Sequence, residues 1–148
     1  MILVDTSVWV EHLRRGNERL KAMLLDDQVL CHPFVIGELA CGHLTKRREI
    51  LSLLRTLPKS YEIGHEEALA FVDNHRLMGT GLGWIDIHLL ASAVLTRARL
   101  WTFDTKLQKA AEIQRVAMTW QRNPSGGARS GRPRQSWAHE AGASGGLW

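Results

Sequence analysis

Two short apolar runs that each close on Asp-Thr constrain this chain more than any other feature. Residues 1–9 read MILVDTSVW, and residues 100–105 read LWTFDT. A brief run rich in Ile and Val reads as a buried strand of the parallel type. After Asp5, Thr6 or Ser7 can cap a helix whose apolar stripe is Val8, Val10 and Leu13, with Trp9 beside it. In a parallel sheet both strand ends face one edge, the edge where open α/β sheets place their ligands. Asp5 and Asp104 are therefore expected to converge. The plainer alternative for Asp5 is a helix cap, since Asp is a favoured capping residue.

The intervening sequence alternates short strands with longer helical patterns. Gly16-Asn17 breaks the first helix, and a second is expected over Glu18 to Leu25. Gln28 to Cys31 is a candidate strand, and Pro33 suits the first turn of a helix running to about Leu44. Helices are expected over Lys46 to Leu57, Glu66 to Met78 and Ile85 to Arg97, with short strands at Tyr61 to Ile63, Arg99 to Phe103 and Val116 to Trp120. That alternation predicts an α/β fold with a mostly parallel sheet.

The chain of 148 residues suits one domain of 1–121 with a real core. Residues 122–148 are dense in Gly, Ser, Ala and Arg and are expected to be a disordered basic tail. The body holds 15 Lys/Arg against 14 Asp/Glu, so bulk charge does not mark it as a nucleic-acid binder. No apolar stretch is long enough to span a membrane, and MILVD lacks the basic start of a signal peptide; a cytoplasmic location is expected. Cys31 and Cys41 are too few for a disulfide scaffold, and no CxxC pair joins them to His32 and His43 in a zinc site.

Two more carboxylates stand in apolar surroundings. One turn from Glu38 on its expected helix lie Phe34, Val35, Cys41 and Gly42; one turn from Asp86 lie Leu82, Gly83, Leu89 and Leu90. A charge in such a setting costs several kcal/mol unless it is paired or bound to a metal. Glu38 could pair with an Arg, and Asp86 could simply favour a helix N-terminus. Four separate explanations for Asp5, Glu38, Asp86 and Asp104 are less economical than one shared cation. Gathered carboxylates repel, and hard oxygen ligands suit Mg²⁺ or Mn²⁺. Such an ion fits phosphate-ester hydrolysis, where it activates water and neutralises charge developing on phosphorus.

The ordered set MILVDTSVW, VIGELACG, GWIDIHLLASA and LWTFDTKL resembles the PIN-domain ribonucleases, specifically VapC-type toxins of toxin–antitoxin pairs, over about residues 1–120. The resemblance implies a PIN-like three-layer sandwich, with a short, mostly parallel sheet flanked by helices. It also implies an acidic metal-binding and catalytic quartet of Asp5, Glu38, Asp86 and Asp104, supported by the hydroxyls of Ser7 and Thr102. The implied activity is Mg²⁺-dependent cleavage of single-stranded regions of RNA, with Mn²⁺ as a possible substitute. The implied partners are the RNA, a small VapB-like antitoxin and a second copy of the chain, with no membrane. Nothing carries over onto the tail.

Within that reading Arg14, Arg15, Lys46, Arg47, Arg48 and Arg76 are candidates for steering RNA, although most are expected to be ordinary solvated cations. His12, His32 and His43 are expected to be packing or surface residues rather than general bases. An aspartyl phosphatase is disfavoured because Ser7 stands where its second acid belongs. A catalytically silent PIN-like scaffold that binds RNA or a partner remains the alternative, and it has no use for four acids.

Overall fold

The computed structural model describes residues 1–119; the tail expected over 122–148 lies outside the described residues. At the centre of its sheet is β1 (Ile2–Val4), with β2 (Val29–Leu30) on one side and β3 (Arg99–Trp101) on the other. All pairings are parallel, with Leu3 opposite both Leu30 and Leu100 and Val4 opposite Trp101. Leu3, Val4 and Leu100 are wholly buried. Burial on both faces is why these strands are continuously apolar rather than alternating.

Around the sheet stand α1 (Thr6–Arg15), α2 (Glu18–Leu25), α3 (Pro33–Cys41), α4 (Arg47–Thr56), α5 (His65–Asn74), α6 (Trp84–Thr96) and α7 (Thr105–Ile113). This is the expected α/β sandwich around a short parallel sheet. The first helix seats Val8, Trp9, His12 and Leu13 in the core. In α6 every residue from Ile87 to Ala93 is buried, which explains its nearly continuous apolar sequence.

One hydrogen bond beyond the ladder sets up everything at the sheet's carboxyl edge. The Asp5 N–H donates to the Trp101 carbonyl at 2.9 Å. It carries the pairing of β1 and β3 one residue past the strands, and so places Asp5 beside Thr102.

Two expected strands are reduced to single bridges. Cys31 pairs with Lys59, so chain after α4 joins the sheet edge earlier than Tyr61, and Leu100 pairs with Ala117. The fifth helix stops at Asn74 instead of Met78 because Arg76 takes a left-handed conformation, φ 51°. Leu77 still reaches the core, its N–H closing onto the Val72 carbonyl at 2.9 Å. Among the described residues no helix is long and apolar enough to cross a membrane.

Candidate functional site

Three chain segments arrive at the carboxyl edge of the sheet as helix starts. Asp5 occupies the N-cap position of α1, Asp104 that of α7, and Asp86 the first turn of α6. Helix N-termini favour negative charge, so each acid sits where the backbone dipole eases it. Glu38 comes from mid-α3, which packs against α1.

Asp5 is not a cap in any but the positional sense. Its carboxylate makes no bond to the helix backbone. It is 6% exposed, and Oδ2 accepts from two hydroxyls, Ser7 Oγ at 2.7 Å and Thr102 Oγ1 at 2.7 Å. Each hydroxyl also accepts, Ser7 Oγ from the Phe103 N–H at 3.0 Å and Thr102 Oγ1 from the Asp104 N–H at 3.0 Å, and the two hydroxyl oxygens lie 3.4 Å apart. A carboxylate offers only acceptors, so in both bonds to Asp5 the hydroxyl donates. The Asp5 carboxylate thus caps no helix, and the hydroxyls of Ser7 and Thr102 are its partners.

The other three acids follow one pattern. Glu38 Oε1 accepts from Thr6 Oγ1 at 2.8 Å, Asp86 Oδ2 from the Gly83 N–H at 3.0 Å, and Asp104 Oδ1 from the Leu107 N–H at 2.8 Å. Asp104 is thus a genuine cap as well as a member of the group. In all four carboxylates one oxygen is held by the protein and the second has no hydrogen-bond donor among the described residues. Neither Glu38 nor Asp86 has a cation at ion-pair distance among those residues, which removes the arginine explanation for Glu38.

The acids also act on one another. Burial pushes the Glu38 carboxyl above its ordinary range; the Thr6 bond opposes this, and the charges of Asp5 and Asp86 add to it. Burial likewise raises Asp86, against the Gly83 bond and with the charges of Asp5 and Asp104. The four are therefore electrostatic neighbours, although among the described residues no three acid, His or Cys side chains close tightly enough to hold an ion as they stand. Five hydrogen bonds hold the four carboxylates where they stand. Among the described residues the four open carboxylate oxygens are hard donors, the kind a divalent cation takes.

Sequence reasoning missed Thr6, which it treated only as a cap. Its hydroxyl is what ties Glu38 to the start of α1. The signal was available in the repeated Asp-Thr, where the second Thr, at 105, opens α7 in the same way.

The Cys31 thiol is buried, and burial pushes it up to about 12. The His32 imidazole is pushed down to about 4 by burial, and its Nδ1 accepts the Phe34 N–H to cap α3. His12 does the same for the Asn17 N–H at 3.0 Å. Both pack, as expected.

Replacing Thr102 with Val keeps the side-chain shape and removes the hydroxyl. The Asp104 N–H then loses its acceptor and Asp5 one of its two donors. We expect a stability loss of about 1–3 kcal/mol in urea unfolding; an unchanged midpoint would show that these bonds exchange freely with water.

A family model described as the PIN domain matches residues 2–113. Two curated relatives, each named Ribonuclease VapC32 and coming from two strains of Mycobacterium tuberculosis, are each 48% identical to this chain over 119 residues. The aligned stretch covers 80% of this chain and 96% of each relative.

Proposed function

Because the chain belongs to the PIN-domain family, and its site offers four half-open carboxylates, we propose that it is a VapC-type endoribonuclease, the toxin of a toxin–antitoxin pair. In this reading residues 1–121 form the nuclease unit. It works in the cytoplasm as a homodimer, and a small VapB-like antitoxin holds it in check. Its substrate is RNA in single-stranded regions, hydrolysed at a phosphodiester with Mg²⁺, or Mn²⁺ in its place.

The observation that carries the reading is the open oxygen on each acid. Asp5 Oδ1, Glu38 Oε2, Asp86 Oδ1 and Asp104 Oδ2 are the atoms that would hold the cation. When bound, the cation lowers the pKa of a water nucleophile and offsets charge developing on the phosphate. Asp5 is the fixed member, since two hydroxyls orient it and burial excludes water from its far side. Glu38 and Asp86, whose carboxyls burial pushes above their ordinary range, would join Asp5 in holding the cation.

Four acids with open oxygens speak against a silent scaffold, because a surface that only binds RNA gains nothing from negative charge. The test is incubation of the purified chain with unstructured RNA and Mg²⁺. Discrete cleavage products are expected, and a perfect duplex of the same sequence should survive. Intact RNA under these conditions would sink the proposal.

A further inference from the structure

The acid edge repels the polyanion it is proposed to cut, so some cation must meet the RNA beside it. Lys106 is set apart from the other surface cations by its placement. It lies two residues after Asp104, in the first turn of α7. Its side chain folds across to the glycine loop that leads into α6 and Asp86. A methyl built on Gly81 would fall 2.9 Å from Lys106 Nζ, 3.0 Å from Cδ and 3.2 Å from Cε. Gly81 also has φ +81°, a conformation that side chains resist, so this crossing is open only because the residue is glycine.

The lysine is therefore laid against the segments that carry two of the four acids. Helix dipoles disfavour a cation in the first turn. Among the described residues no carboxylate pairs with this one to compensate. A role in packing the loop would be met by an uncharged stem of the same length, which leaves the ammonium itself unexplained.

We propose that Lys106 is a substrate-positioning residue: its ammonium contacts a backbone phosphate of single-stranded RNA next to the one being cut. This rests on the ribonuclease reading above. The contact is to phosphate, so it carries no base preference and acts on binding rather than on the chemical step.

The test is binding of a short fluorescent single-stranded RNA of mixed sequence, with chelator present to hold off cleavage, at several salt concentrations. Lys106→Met keeps the aliphatic stem on Gly81 and removes the charge. Its binding should be several-fold weaker than wild type at low salt. The salt slope should fall by roughly 0.7, the value for one phosphate contact on a single strand, so the ratio to wild type shrinks about 2.6-fold between about 50 and about 200 mM. Lys106→Arg should restore the slope, and Lys109→Met, one turn further along α7, should leave it unchanged. In cleavage, Lys106→Met should raise KM with little change in kcat. A wild-type slope in Lys106→Met, or an equal loss in Lys109→Met, would overturn the assignment while leaving the ribonuclease reading intact. A wild type that binds no RNA would overturn both.

Discussion

Asp5→Asn should cut RNA at least ~10³-fold more slowly than the wild type while folding as well or better. The reason lies in which atoms are free to turn. Ser7 and Thr102 both donate to the carboxylate at position 5 while accepting the N–H groups of Phe103 and Asp104. An asparagine there keeps both donated bonds only with its carbonyl oxygen at the Oδ2 position. Its NH₂ then falls where Asp5 Oδ1 stood, and a donor replaces a cation ligand. Loss of the ligand charge and of the atom together should remove several kcal/mol of transition-state stabilisation, each 1.36 kcal/mol being a factor of ten. Stability should not suffer, because the charge removed is buried and opposes those of Glu38 and Asp86. Single-turnover cleavage and thermal melts of the two proteins check both halves. A folded variant within ~10-fold of wild-type cleavage would place the reaction elsewhere.

That argument depends on a detail the sequence hides. The pattern MILVD followed by a helix signals a strand, a turn and an acid, and it predicts a cap equally well. Only the register of β1 against β3, extended by the Asp5 N–H to Trp101, brings Thr102 within reach. Glu38 and Asp86 were legible because an acid in an apolar pattern is conspicuous at any register. The helix cores were legible for the same reason, their periodicity being local.

The end of α5 and the shrinking of the last expected strand were not legible, and the cause is visible in the backbone. Arg76 and Arg115 take left-handed conformations, φ 51° and 59°. Sequence reading expects glycine or asparagine at such stops, and an arginine gives no warning. So α5 ends before its apolar pattern does, and the residues after α7 meet β3 at a single bridge. The acid quartet escaped this difficulty. Three of its members sit at helix starts, where Asp, Thr and Gly leave a readable mark.

Chelation of divalent ions should lower cleavage to the floor set by Asp5→Asn, and excess Mg²⁺ or Mn²⁺ should restore it. The same ions should change how stability depends on pH. Without them, Glu38 and Asp86 hold protons more tightly in the folded chain than in the unfolded one. The folded state then binds more protons, so these two groups make stability fall as pH rises from roughly 4 through their raised values. Above that window their cost is constant. A divalent cation reverses the effect there, because it binds the deprotonated oxygens and only the folded chain gathers them. At a concentration 100 times its dissociation constant, the gain is about 2.7 kcal/mol. Below the window protons displace the cation and the gain vanishes. Melting temperatures with and without Mg²⁺ should therefore coincide in acid and separate towards neutral pH. Glu38→Gln should flatten part of the metal-free fall and narrow the separation. Melting curves that ignore both ions at neutral pH would sever the four open oxygens from the chemistry proposed for them.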